Sequence, residues 1–422
     1  MKFLQTLAAA VFFGIGPQLS HAQEAAPQPA PTPNVEAEGA NAVPSAIERG
    51  RYLVDAGNCF SCHTREGGAP FSGGVAFQTP FGTIYSSNIT PDAATGIGRW
   101  SGEDLRRAMH EGIAADGSRL FPAFPYTAYT KVSDADAANI YAYLRTVQPV
   151  RYTPPSNGFL FSQRWALAVW NKLFFEPGRF TPNTAQSAEW NRGAYLVEGL
   201  GHCSACHSPR NRFMAEIPEQ AYWGGLIDDR VTKDKVRPWS AVDLTPSKHG
   251  LGAWSVADLT KYLHTGFSPR AGTFGPMNEV IVNSLRKLSA EDVKAMAVYL
   301  KSLPAREYQG ATVSSEQAAA GEAIYKDRCE KCHSSSGRGG IFSAPPLAGS
   351  AIVQAENPAS LINSILHGPQ TPKEVSFGAW ETMPSYADVL DDAQVVAVSN
   401  YVRGSWQNRA RPVTVEDVAR QR

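Results

Sequence analysis

Apolar and polar positions alternate at helical spacing in three successive rounds, and each round predicts the same three elements. An opening helix carries Arg49-Gly50-Arg51-Tyr52-Leu53-Val54 in the first round. Its counterparts are Arg192-Gly193-Ala194-Tyr195-Leu196-Val197 in the second and the looser Gly321-Glu322-Ala323-Ile324-Tyr325 in the third. A middle helix follows: Trp100-Ser101 with Asp104-Leu105 matches Trp254-Ser255 with Asp258-Leu259, a serine N-cap ahead of an acidic first turn. These helices run to His110-Glu111-Gly112 and His264-Thr265-Gly266. The third round ends its counterpart at Leu366-His367-Gly368, with each glycine placed as a C-cap. A closing helix starts at Ser133-Asp134, Ser289-Ala290 and Asp391-Asp392, and ends near Tyr143-Leu144, Tyr299-Leu300 and Tyr401-Val402. Such a repeat means one structural unit used three times. The expected fold is mainly α, with three tandem domains at 46–150, 187–306 and 315–410.

Composition narrows this picture. The chain has 422 residues, 43% hydrophobic and 18% charged, in the range of globular proteins. Its 39 Lys and Arg balance 39 Asp and Glu, so no global field recruits nucleic acid. Residues 1–22 read as a signal peptide: Lys2, an apolar run from Leu4 to Ile15, and a small-x-small site at Ser20-His21-Ala22. Residues 23–45, rich in Ala, Pro and Glu, read as a flexible tether. Nothing later offers about 18 uninterrupted apolar residues, so the mature chain is expected to be exported without a membrane helix of its own.

Six cysteines in an exported chain ordinarily predict three disulfides, but their placement argues otherwise. They fall into the pairs Cys59/Cys62, Cys203/Cys206 and Cys329/Cys332, and His63, His207 or His333 follows each pair directly. A disulfide framework has no need for that histidine, and a zinc site built on two Cys and one His lacks a fourth ligand. Covalent haem attachment needs all three: two thioethers and an axial imidazole. The expected cofactors are therefore three haem c groups, one per round, in class I cytochrome c domains.

An electron-carrying haem takes a second axial ligand, usually a methionine. Met277 in Gly275-Pro276-Met277 and Met383 in Met383-Pro384 lie between middle and closing helices, where such a ligand is expected. The alternative is a gap-filling core methionine. The first round departs from this pattern. Phe124 stands in the matching place, within Phe121-Pro122-Ala123-Phe124-Pro125-Tyr126, and cannot ligate iron. Met109 on the middle helix is the candidate there, beside His110 or an open position. Met214 and Met296 read as core residues.

These residues resemble the triheme cytochrome c subunits of periplasmic membrane-associated dehydrogenases, the alcohol, gluconate, fructose and aldehyde dehydrogenases of acetic acid bacteria. The matching stretches are Thr79-Pro80-Phe81-Gly82-Thr83-Ile84-Tyr85-Ser86-Ser87-Asn88-Ile89-Thr90-Pro91, Gly96-Ile97-Gly98, Trp190-Asn191-Arg192-Gly193 and Gly275-Pro276-Met277. The likeness covers residues 46 to 410. It implies a non-catalytic subunit that takes electrons from a separate molybdenum-, flavin- or quinone-dependent catalytic subunit and passes them to ubiquinone or a terminal oxidase. Many relatives carry Met where this chain has Phe124, a form associated in the resemblance with molybdenum-type partners. Several end in a membrane helix, whereas residues 411–422 here read as a polar tail.

The linker 151–186 holds an aromatic-rich helix from Phe159-Leu160-Phe161 through Trp165 and Trp170 to Leu173-Phe174-Phe175. Three roles fit it: packing across the first two domains, docking a partner subunit, or lying in a membrane interface at 159–175. Two further functions compete with the electron-transfer subunit, namely a free soluble shuttle and a haem enzyme using an open distal site at haem 1.

Overall fold

Most of the longer helices of the computed structural model begin where the sequence supplies a side-chain cap. The model describes residues 44–422 apart from 160–164, 233–234, 309, 341, 377 and 379. The signal peptide, nearly all of the tether and part of the aromatic linker lie outside the described residues. Ser45 and Glu48 form a reciprocal capping box that starts the first opening helix, Ala46–Ala56. Ser187 caps the second, Ala188–Tyr195, which continues as one π turn over Leu196–Leu200. The third opening helix is broken, Ser315–Ala319 giving way at Gly321 to Glu322–Arg328.

The middle helices are Gly102–Glu111, Val256–Thr265 and Ala359–His367. Capping boxes of Ser101 with Asp104 and Ser255 with Asp258 start the first two, and both end on a left-handed glycine, Gly112 or Gly266. The third has no side-chain cap, and Gly368 leaves it with positive φ but extended ψ. The closing helices are Asp134–Leu144, Ala290–Ser302 and Asp392–Gly404, started by Ser133, Ser289 and Asp391.

In every round the opening and closing helices cross where a glycine meets a backbone carbonyl. A Cβ on Gly50 would stand 1.9 Å from the Asn139 oxygen; on Gly193 or Gly321 it would stand 2.0 Å from the Ala295 or Ala397 oxygen. The Cβ atoms of Tyr143, Tyr299 and Tyr401 lie 2.8, 2.9 and 2.8 Å from the same three positions. Only a residue without Cβ allows this approach, so the glycine of each opening motif fixes the crossing. The weakest sequence match, Gly321, makes the same contact as the other two.

The first and second rounds are joined by a reciprocal exchange. Arg49 pairs with Asp136 at 3.0 Å within the first, and Arg192 with Asp292 at 2.6 Å within the second. The Tyr52 hydroxyl donates to Asp292 (2.6 Å) and accepts from the Ser289 amide (3.1 Å). Tyr195 does the same with Asp136 (2.6 Å) and the Ser133 amide (3.1 Å). Lys287 on Asp55 at 3.0 Å mirrors Lys131 on Glu198 at 2.5 Å. The two rounds are thus related by a local two-fold arrangement, the isologous geometry of a dimer within one chain. One hydrophobic core runs through both, including Leu53, Tyr129, Leu196 and Leu300, whereas the third round has its own around Tyr325, Ile362, Leu366 and Val398.

Strands are few and short. Ala76–Thr79, Gly82–Tyr85 and Gly158–Phe159 form an antiparallel sheet. A longer hairpin, Gly225–Thr232 with Lys235–Ala241, pairs Ile227 with Trp239 and is not evident in the helical periodicity. It docks on the third middle helix through Ser240 and Ser360, which exchange three hydrogen bonds of 2.8 to 3.1 Å.

Two segments differ from a simple reading of their polarity. Residues 411–422 are a packed element, not a loose tail: Thr414 caps the helix Val415–Ala419, Val413 and Val418 are buried, and Arg411 pairs with Asp417 at 2.9 Å. The linker helix, Trp165–Phe174, packs across the first two rounds through its buried Asn171, which accepts from Tyr126 at 2.6 Å, and through Trp170, which donates to the Phe213 carbonyl at 2.9 Å. Its other face stays exposed, with Trp165 at 66%, Val169 at 51% and Leu173 at 67%. Among the described residues no helix is long and apolar enough to cross a membrane.

Candidate haem sites

The three Cys-x-x-Cys-His motifs fold into one-turn helices, Cys59–His63, Ser204–His207 and Glu330–His333. Asn58 and His202, just before the first cysteines, have positive φ and turn the chain sharply into the motif. Nδ1 of His63 lies 2.7 Å from the Ser87 carbonyl, that of His207 2.8 Å from Val242, and that of His333 3.0 Å from Pro345. A carbonyl only accepts, so each Nδ1 carries the proton and each Nε2 presents its lone pair. Burial lowers the pKa of all three imidazoles and keeps them neutral. Three neutral imidazoles, each locked by its backbone for ligation through Nε2, are what a haem iron requires.

The cysteines fit the same chemistry. All six are unpaired with one another. Burial pushes the Cys59, Cys62 and Cys203 thiols up to about 12 and Cys329 to about 11, so none is a nucleophilic thiolate at neutral pH. Among the described residues no three His, Cys, Asp or Glu side chains converge as ligands for a bare metal ion.

The second site is a single apolar cavity. Cys203, Cys206 and His207 line it together with Met277, Trp239 and Tyr262. Met277 begins the helix Met277–Asn283, two residues after Gly275, whose φ is +56° and whose Cβ would lie 2.8 Å from the Trp239 ring. The aromatic ring thus requires the glycine and sets the loop that offers the methionine. Leu263, at the place of Met109, and Met296 also line this cavity, so Met296 is core and cavity wall at once.

At the first site Phe124 packs on Tyr129 with ring centroids 5.4 Å apart, and the Tyr129 hydroxyl donates to the Gly57 carbonyl at 2.9 Å. Met109 is buried in the joint core with Leu53 and Leu105. His110 is fully buried, with Nδ1 3.4 Å from Asp134, and burial lowers its pKa to about 4. His367 faces the C-terminal segment, Nε2 lying 3.0 Å from the Gln421 carbonyl. The two histidines sit at matching positions but meet different partners. At the third site Met383 is half-buried and packs on a core that also takes in Cys329 and Tyr386, while Cys332 lies 3.7 Å from Glu381.

Three features escape sequence reasoning: the hairpin residue Trp239, the lining of the second cavity by Pro346 and Ile352 of the third round, and the Tyr–Asp exchange. The exchange had one legible sign, the shared Arg-x-x-Tyr spacing of Arg49/Tyr52 and Arg192/Tyr195. The other two depend on long-range pairing.

Residues 47–148 match the family model described as cytochrome c, and residues 316–402 match that of the cbb3-type cytochrome c oxidase subunit III. A nicotinate dehydrogenase subunit of Pseudomonas putida is 43% identical over 85% of this chain, which spans only 30% of that protein's length. The gluconate 2-dehydrogenase cytochrome c subunit of Pantoea cypripedii is 38% identical over 88% of both chains. The fructose dehydrogenase cytochrome subunit of Gluconobacter japonicus is 34% identical over 91% of this chain and 85% of its own. With its attachment motifs, its locked histidines and this likeness along nearly the whole length of such subunits, the chain belongs to the family of dehydrogenase cytochrome c subunits.

Proposed function

We propose that the chain carries three haem c groups, in domains at 46–150, 187–306 and 315–410, and works as the electron-transfer subunit of a periplasmic dehydrogenase. Electrons come from a separate catalytic subunit, molybdenum-, flavin- or quinone-dependent, and leave to ubiquinone or a terminal oxidase. Bound haem iron supplies one-electron redox chemistry at each site. The chain's own residues hold, orient and space it: the cysteine pairs anchor, His63, His207 and His333 ligate, and Met277 and Met383 close two distal sides. Met109 is assigned the distal side of the first.

The observation that carries this reading is the threefold recurrence of a buried histidine whose Nδ1–H is held by a backbone carbonyl beside a cysteine pair. Contiguity of the sites supports it. Cys62 lies near enough to Cys206 for charge on one to raise the pKa of the other. The third round holds His333 through Pro345, and its next residue, Pro346, lines the second cavity. Three such sites in sequence suit a relay of electrons. The leader at 1–22 supports a periplasmic location, and the exposed stripe of Trp165, Val169 and Leu173 supports a peripheral contact of 159–175 with a membrane surface.

The test is anaerobic mixing of the purified holoprotein with alcohols, sugars and aldehydes. The chain alone stays oxidised and is reduced once its catalytic subunit is added. Substrate-driven reduction of the isolated chain overturns the reading. A haem enzyme is favoured by one observation, Phe124 in place of a ligand, and predicts stoichiometric carbon monoxide binding at haem 1.

A further inference from the structure

The linker helix has two faces that lead to different places. Trp165, Val169 and Leu173 form its exposed apolar stripe, and Lys172 is exposed beside them. Phe213 extends the stripe: it is exposed, its ring lies 5.7 Å from that of Phe174, and the Arg212 guanidinium sits 4.9 Å from its centre. Aromatic and aliphatic side chains edged by exposed cations suit the interface of an anionic lipid surface. Asn171, the buried residue of the helix, is two positions from Val169, which is about 160° around the axis at 3.6 residues per turn. A tilt imposed at the stripe therefore moves Asn171 on the opposite face.

Asn171 meets the distal loop of the first round. It accepts a 2.6 Å hydrogen bond from the hydroxyl of Tyr126, which is fully buried. The Tyr126 amide donates to the Phe124 carbonyl at 2.7 Å. Its ring would lie 2.8 Å from a Cβ on Gly112, the residue that ends the helix carrying Met109. The chain after the linker helix continues the clamp. The Gly178 amide donates to Thr130 Oγ1 (3.1 Å), Arg179 Nη1 to the Thr130 carbonyl (2.9 Å) and the Phe180 amide to the Lys131 carbonyl (3.0 Å). Residues 171–180 thus strap the loop from Tyr126 to Lys131. The second distal loop is held by the third round instead, Asn278 donating to the Gln370 carbonyl (2.7 Å) and Arg286 to the Glu374 carbonyl (2.8 Å). The first strap is the one that carries the exposed stripe.

We propose that seating the stripe on an anionic lipid surface shifts the distal loop of haem 1 through the Asn171–Tyr126 hydrogen bond, so that the membrane tunes haem 1 and leaves haems 2 and 3 unchanged. The inference rests on the proposed haem occupancy and membrane contact, and gives that contact a regulatory role. Tyr126 is a positioning residue here, acting through the loop and the Met109 helix. A surface moves haem 1 only by as much as it favours one arrangement of the loop, and one hydrogen bond is worth about fivefold in an equilibrium.

The test mixes the holoprotein with vesicles of phosphatidylglycerol and phosphatidylcholine. Flotation reads binding, and potentiometric titration reads each haem. Haems 2 and 3 are the components altered in Met277→Ala and Met383→Ala, which leaves haem 1. The parent is expected to float, with its haem 1 reduction equilibrium changed by up to about fivefold. Tyr126→Phe keeps the ring, floats equally and loses the haem 1 change. Asn171→Leu does the same and decides alone if Tyr126→Phe does not load three haems. Leu173→Asp loses flotation and the haem 1 change together. Flotation without a haem 1 change, a change retained in Tyr126→Phe, or a change in haem 2 or 3 overturns the coupling and leaves the membrane contact standing. A parent that does not float refutes the contact and the coupling with it, and loss of catalytic-subunit binding in Leu173→Asp then assigns the face to that subunit. Holoprotein without haem 1, read by mass, overturns the occupancy and the proposal alike.

Discussion

In the first round the loop after the middle helix reaches the core with Phe124, and in the second with Met277, although the frames around them agree contact by contact. Both have a glycine at the helix crossing, a serine-capped closing helix, an Arg–Asp pair and a tyrosine reaching into the other round. The scaffold repeats because backbone approach dictates its residues, whereas the distal loop is held by local packing and is able to differ. Trp239 against Gly275 makes one such arrangement, and Phe124 against Tyr129 makes the other. The lesson is that a repeated frame fixes where each Cys-x-x-Cys-His motif sits, while a few loop residues decide which side chains face it.

The strongest way to break this comparison is at the distal loops. Met277→Ala is expected to abolish the methionine-ligated spectrum of one haem and open it to carbon monoxide. Phe124→Ala leaves every haem's ligation unchanged, and Met109→Ala alters the remaining one. A change of ligation in Phe124→Ala would reverse the assignment of the first site. The frame itself is tested by Gly50→Ala, Gly193→Ala and Gly321→Ala. Each places a Cβ within 2.0 Å of a carbonyl oxygen and should cost about 3 kcal/mol or more in denaturant unfolding of its round.

Asp292 sharpens the comparison through pH. Burial pushes its carboxyl up, but hydrogen bonds from Arg192 and Tyr52 outweigh that and hold it below the usual aspartate range. A depressed folded pKa contributes stability that is present above the unfolded value of about 3.9 and is lost as pH falls through the folded value. Asp292→Asn should cost about 3 kcal/mol at neutral pH, with the gap to the parent closing only below about pH 4. Tyr52→Phe and Tyr195→Phe remove matching hydrogen bonds to a carboxylate. Each should cost about 1.5 kcal/mol, equally if the two-fold relation holds. The smallest effect is at the linker: Leu173→Asp, on the exposed stripe, should weaken binding to anionic vesicles about tenfold without altering haem spectra.

Much of this was legible in the chain. Helical periodicity and serine caps located most of the helices, whereas the close approach at the glycine of each opening motif emerges only once the helices pack. The histidine of each motif was legible in the sequence because covalent haem attachment, as proposed, needs it at a fixed spacing from the cysteines. The distal side was less so, since its residues lie far along the chain and are joined to the site only by folding. Trp239 shows why: it sits on a hairpin with no helical signature and faces a cavity assembled from segments far apart in the chain, from Ala56 to Ser360. The packing of the polar C-terminus was not legible for a related reason, because Val413 and Val418 are too few to show a periodicity yet are both buried.

The central claim, three covalently held haems on one repeated frame, is tested most directly by the intact mass of the holoprotein. The account predicts the mature polypeptide plus three haem groups, falling to two in a Cys203→Ala/Cys206→Ala variant. A mass showing two haems or fewer on the natural chain, or disulfides within the cysteine pairs, would contradict it.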